Sequence, residues 1–151
     1  MKIFHVAGGG DRGGAKTHIL ALCSRLKERF DLTLVSLRSG DFPESAQQAG
    51  IKTTTFFSWF VPYDYYQLIK LVRREKPDIV HICTPHYLHA EMVIEALGRG
   101  INVLCEKPLC LHEEDTVYSL MAIKCNCGSI LENCNALNLF HCKSVDRTLK
   151  S

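Results

Sequence analysis

The chain has 151 residues, of which 46% are hydrophobic and 23% charged, with a net charge of +2. That is one domain's length with enough apolar material for a core, and its dispersed basic residues exclude a nucleic-acid footprint or a membrane-binding patch. No apolar run reaches membrane-spanning length, and the opening apolar stretch 3–7 is too short for a secretory signal. A cytoplasmic compartment is therefore expected, with the eight cysteines mostly reduced thiols.

In chain order, residues 2–7 read as a buried strand running into Gly8-Gly9-Gly10-Asp11-Arg12-Gly13-Gly14. A helix over about 15–29 follows, with Ala15, Ile19, Leu22, Cys23, Leu26 and Phe30 on its apolar face. Strand, glycine loop and helix form the context in which backbone N–H groups and a helix N-terminus hold a phosphate. Gly8, Gly10 and Gly13 satisfy G-x-G-x-x-G, a pattern weak by itself that gains weight from its place after the first strand. Residues 32–37 are a second strand. Past its end, where an NAD site often places an acid for the ribose, stands Arg38. That arginine suits a 2′-phosphate, or is simply an exposed loop residue. A short helix over 43–49 ends at Gly50, a third strand covers 51–56, and an aromatic loop holds Trp59, Phe60 and Tyr63. Asp64 is placed to cap a helix over 65–76, which Pro77 follows.

Residues 79–83 read as a fourth strand and 101–105 as a fifth, with a helix between them. Thr84 is expected to cap that helix and Pro85 to occupy its first position. Tyr87, Ala90, Val93, Ile94 and Leu97 share its apolar face, and Gly98 and Gly100 supply its left-handed stop. The unit is a β-α-β crossover with parallel strands. Ligands in such sheets bind beyond the strands' carboxyl ends, where Thr84-Pro85 and Glu106-Lys107-Pro108 both fall.

TPHYLH before a helix, then NVLCEKPL, strongly resembles the dinucleotide-binding domain of the Gfo/Idh/MocA sugar oxidoreductases over about residues 78–116. Thr84-Pro85, His89 and the Glu106-Lys107-Pro108 motif stand at that family's spacing. The resemblance implies NAD or NADP as cofactor, and a lysine, here Lys107, beside the nicotinamide and the reacting carbon. A cation there lowers the pKa of a substrate hydroxyl and assists proton transfer. The bland alternative for Glu106-Lys107 is a solvated pair after a strand.

Residues 1–81 carry a second resemblance, to the N-terminal domain of family 4 retaining glycosyltransferases of the GT-B fold. It rests on GGAKTH after strand one, SGDFPESAQQAGI and the closing KPDIVH. In that family the glycine pair, here Gly13 and Gly14, faces the donor's phosphates. The chain thus reads as a splice of two α/β families inside a buried strand near 78–82, where a crossover preserves burial and register.

Beyond Pro108, an acidic turn at 113–115 opens a further helix, and from Cys125 both resemblances stop. Cys125, Cys127, Cys134, His141 and Cys142 have poor spacing for zinc, with one C-x-C and no C-x-x-C. Ile130 and Leu131, with later apolar residues, suit an element covering a sheet edge, or a poorly ordered end. His81, His86 and His89 can converge on the cleft, but satisfied or solvated histidines are the better reading, so no metal is expected.

The fold expected is a three-layer α/β Rossmann-like domain over 1–124, with about five mainly parallel strands, followed by an unassigned Cys-rich tail at 125–151. Its expected site has Lys107 as the catalytic group, with Gly8, Gly10, Gly13, Gly14, Arg38, Thr84, Pro85, His89 and Glu106 around the cofactor. The expected partner is a small-molecule nucleotide or sugar, with no nucleic acid and no membrane span; a homodimer is allowed. The function expected is nucleotide binding related to NAD(P)-dependent sugar oxidoreductases, incomplete for catalysis alone. A glycosyltransferase acceptor domain and an inactive chimeric module are the alternatives.

Overall fold

Alternation along the strands decides which side each helix covers. In Lys2–Ala7, Ile3 and Ala7 point one way and Phe4 and Val6 the other, and both sets are buried. A strand apolar on both faces needs a helical layer on each side, which is the doubly wound arrangement. The computed structural model describes residues 1–8, 14–58, 61–109 and 130–132, and it has this arrangement.

The elements are β1 (Lys2–Ala7), α1 (Gly14–Leu26), β2 (Asp31–Ser36), α2 (Asp41–Gln48), β3 (Thr53–Thr55) and α3 (Val61–Glu75), followed by β4 (Ile79–Cys83). A 3₁₀ turn (His86–Leu88), α4 (His89–Leu97), β5 (Asn102–Cys105) and β6 (Ile130–Glu132) complete them. The strands form one sheet in the order β3-β2-β1-β4-β5-β6. Every pair is parallel. The sheet thus has six strands where about five were expected, and the sixth lies on the β5 edge, within the stretch read as an edge-covering element or a loose end.

Phe4, Val6, Val80, Ile82 and Val103 pack with Leu68 and Val72 of α3 and with Val93 and Leu97 of α4. On the opposite face Ile3, Ala7, Leu32 and Leu34 pack with Ile19 and Cys23 of α1 and Phe42 and Ala46 of α2. The strand order reverses between β1 and β4, so the switch point of the sheet opens there. The suspected seam at 78–82 is an ordinary central strand, in register with β1 on one side and β5 on the other.

Several local expectations need correction. Thr84 and Pro85 do not start α4. Pro85 is extended (φ −57°, ψ 138°), the 3₁₀ turn intervenes, and α4 opens after Leu88 with no side-chain cap. Thr84 Oγ1 instead lies 3.5 Å from Met92 Sδ. A 3₁₀ turn advances the chain by three residues per turn rather than 3.6, so Tyr87 leaves the apolar face and is 64% exposed, while His89 and Met92 are buried. Of the two glycines after α4, Gly98 is right-handed and only Gly100 (φ 72°) makes the left-handed stop. Asp64 lies inside α3 rather than before it, and accepts a hydrogen bond from the Ser58 N–H at 2.8 Å. It ties the preceding loop to the helix. Trp59 and Phe60 fall outside the described residues, as does the helix expected after the 113–115 turn.

Candidate functional site

Four strand ends meet at the switch point. The Gly8 N–H donates to Cys83 O at 3.3 Å, the Leu37 N–H to Ala7 O at 2.9 Å, and the Glu106 N–H to Ile82 O at 3.0 Å. These bonds extend the parallel ladder one residue past β1, β2 and β5 and hold the following loops side by side. Between them lies a cleft of about 510 Å³ whose lining includes Gly14, Thr84, Pro85, Glu106 and Lys107. That volume falls in the range of small-molecule and cofactor sites.

Gly8 is there because nothing larger fits. A Cβ built on it would come 2.5 Å from Pro85 Cδ and 3.2 Å from Thr84 Cα. A proline ring and a backbone carbon cannot swing aside, so a side chain here forces β1 and β4 apart at their ends. Gly8→Ala is expected to lower unfolding free energy by about 1–3 kcal/mol, measured as a shifted urea midpoint; an unchanged midpoint would show that the strand ends yield freely. Across the cleft Gly14 opens α1, and a Cβ there would meet nothing within 4 Å. The first turn of α1 carries no acidic residue. Open space and the positive end of the helix dipole together suit a phosphate. The described residues therefore fit a dinucleotide pyrophosphate.

The opposite wall is held by His89. Its ring is 1% exposed, with Nδ1 2.8 Å from Pro108 O and Nε2 2.8 Å from Thr84 O. Carbonyls accept only and a neutral imidazole carries one N–H, so the ring donates to one of the two and lies in close contact with the other. It braces the end of β4 against the Glu106-Lys107-Pro108 corner, in which the Lys107–Pro108 peptide is cis. Lys107 is exposed at the cleft and Glu106 is half-buried.

The cleft thus gathers Gly14, Thr84, Pro85, His89, Glu106 and Lys107, with Gly8 packed behind its wall. Gly10 and Gly13 lie outside the described residues. Arg38 stands exposed just past β2 and is not among the described residues lining the cleft. His86 is exposed at its rim.

Of the cleft's floor, sequence reasoning named only His81. His5, His18, His81 and Cys83 also line the cleft. His5 faces His81 across the β1–β4 register, ring centroids 4.5 Å apart and nearly perpendicular. Burial, with His81 and His18 adding to it, lowers the His5 pKa to about 3; burial also holds His81 below the usual imidazole range, against the opposing pull of Glu106. Burial pushes the Cys83 thiol up to about 12. One signal for this floor was present, a histidine at an inward position of an otherwise apolar strand.

Among known proteins, the family model described as an oxidoreductase family with an NAD-binding Rossmann fold, Gfo/Idh/MocA, matches residues 6–124 and so runs across the 78–82 junction. A 2,7-anhydro-N-acetylneuraminate hydratase from Mediterraneibacter gnavus is 38% identical over 71 residues, which is 47% of this chain and 19% of that protein. The crystal structure of myo-inositol 2-dehydrogenase from Lactobacillus plantarum superposes with a TM-score of 0.65 at 21% identity, over 97% of this chain and 41% of that one. The WlbA dehydrogenase from Thermus thermophilus, in complex with NAD and UDP-GlcNAcA, superposes with a TM-score of 0.62 at 21% identity, over 87% of this chain and 41% of that one. The chain spans well under half the length of each of these proteins.

Proposed function

The chain belongs to the Gfo/Idh/MocA oxidoreductase family, and on that footing we propose that its cleft binds NAD or NADP for hydride transfer on a sugar or related polyol. The observation that carries this reading is the junction of Gly8, the α1 start at Gly14 and the Lys107 corner around one cleft at the sheet's switch point. A bound nicotinamide supplies the hydride acceptor. The residues here bind and orient: Gly8 lets the β1 and β4 ends close up, Gly14 at the start of α1 serves the pyrophosphate, and Gly10 and Gly13 are assigned to it by their place in the glycine run. Thr84, Pro85 and Glu106 form the facing wall, braced by His89. Lys107 places positive charge where a substrate hydroxyl loses its proton. Arg38, past the end of β2, would meet a 2′-phosphate and so favours NADP over NAD.

Titration of the chain with NADH and with NADPH, followed by calorimetry, tests the reading. Saturable binding of at least one is expected, weakened by roughly tenfold or more (about 1.4 kcal/mol) in Gly10→Val and in Lys107→Ala. Absence of binding to both at millimolar ligand would defeat it. A second reading, descent of residues 1–81 from glycosyltransferase family 4, is favoured by the GGAKTH run and would use the same strand edge for a sugar diphosphate. Affinity for nucleotide-sugars with none for nicotinamide cofactors selects it.

A further inference from the structure

The floor of the cleft has a chemistry of its own. His5 of β1 lies opposite His81 of β4, and the two-residue repeat of a strand puts Cys83 on the same side as His81. This is the face of Ile3 and Ala7, covered by α1. His5 is 1% exposed, yet neither of its ring nitrogens has a hydrogen-bond partner among the described residues. A buried imidazole with both nitrogens bare forfeits the hydrogen bonds that water gave it in the unfolded chain, so its presence calls for an explanation. Phenylalanine would fill the space without that loss.

A ligand role supplies one. His81 Nε2 is 3.3 Å from Cys83 Sγ. The donor atoms of His5, His81 and Cys83 all lie within 4.8 Å of one another. Tetrahedral zinc, with bonds of about 2.0–2.3 Å, holds its ligand atoms roughly 3.5 Å apart. Small side-chain rotations therefore close the set without moving either strand. We propose that His5, His81 and Cys83 form a three-ligand site for a thiophilic divalent cation, zinc(II) foremost, with the fourth position open to the cleft.

The ligand types decide the metal class. Two imidazoles and a thiolate suit zinc and disfavour magnesium or calcium, which take oxygen donors. Both imidazoles, held neutral by burial, present lone pairs at pH 7. Burial keeps the proton on the Cys83 thiol, and a coordinated cation reverses that balance by supplying the opposite charge. Glu106, whose field reaches both His81 and Cys83, adds negative potential at the same place.

The site stands independently of the dinucleotide reading, because it is tested with metal alone. Cobalt(II), a spectroscopic stand-in for zinc, is titrated into the full chain carrying Cys110→Ser, Cys125→Ser, Cys127→Ser, Cys134→Ser and Cys142→Ser. That background removes the thiols of the Cys-rich end as competing ligands. One cobalt per chain is expected, with a thiolate charge-transfer band that zinc displaces. Adding Cys83→Ser abolishes the band, and adding His5→Phe weakens binding by roughly tenfold or more. Cys83→Ala and His81→Gln serve as second variants where either substitution disturbs the circular dichroism of the fold. Zinc should also raise the melting temperature of the background chain and leave that of Cys83→Ala unmoved. A background chain without the band at stoichiometric cobalt, or a band that survives in every folded Cys83 variant, overturns the site.

Discussion

Metal-free in chelator, the protein is expected to lose stability steeply as the pH falls from about 6.5 toward 4, and His5 is the cause. The folded pKa of this histidine is lowered from 6.5 to about 3, so the folded state excludes a proton that the unfolded state takes up. Stability from this group is fully present above pH 6.5, where both states are neutral. Below that value the unfolded chain binds the proton alone, and the unfolding free energy falls by about 1.4 kcal/mol per pH unit, or about 3 kcal/mol by pH 4.5. The decline flattens only near pH 3, where the folded state also protonates. His81, lowered in the same direction, adds to the slope over the same side of neutrality. His18 on α1 and His81 on β4 add to the penalty of burial, and among the described residues no carboxylate offsets it at His5. Urea unfolding between pH 7 and pH 4.5 measures the effect. His5→Phe keeps a ring of similar size in the sheet and should remove the His5 share of the slope. An identical pH slope in the variant would transfer the acid sensitivity to other groups.

The second large effect is expected at His89. Changing it to leucine preserves side-chain bulk but removes the one ring N–H that serves the carbonyl of Thr84 or of Pro108. Each stranded buried acceptor costs about 1–3 kcal/mol. Pro108 is exposed, so water can reach its carbonyl more readily than that of buried Thr84. The loss expected for His89→Leu is therefore about 1–3 kcal/mol, read as a lower urea midpoint with an unchanged slope. Beyond stability, the brace between the end of β4 and the Lys107 corner is gone. Amide exchange at Glu106, whose N–H donates to Ile82 O, should accelerate relative to amides of β2, which the brace does not touch. His89→Gln, which reaches one carbonyl at most, should fall between the wild type and leucine. Equal exchange at Glu106 in all three proteins would mean that the corner is held by the β5 ladder alone.

Much of the architecture was legible because it depends on composition at short range. Runs such as Ile79-Val80-His81-Ile82-Cys83 and Leu32-Thr33-Leu34-Val35 are too uniformly apolar to face water, and strands of this kind alternating with amphipathic helices admit few arrangements other than a parallel sheet covered on both sides. The TPHYLH and NVLCEKPL runs likewise carried the family, whose model matches residues 6–124. The second resemblance, over 1–81, was read from equally local runs, and the sheet continues through the junction without a break in register.

Local pattern failed where distant parts of the chain settle a local choice. Thr84 and Pro85 have the composition of a helix start, but Pro85 packs against the space where a Gly8 side chain would be, and that contact between β1 and β4 holds it extended. Tyr87 has the right spacing for the α4 face, yet the 3₁₀ turn rotates it outward. His89 matched its family position without revealing that both nitrogens lie 2.8 Å from backbone carbonyls. The grouping of His5 with His81 and Cys83 follows from the β1–β4 register alone, which joins residues 76 positions apart. Helix and strand formation are set by neighbours within a few residues, so the sequence by itself determined the elements and their class. Which side chains share a cleft depends on strand order and register, and these are set only when the whole sheet assembles.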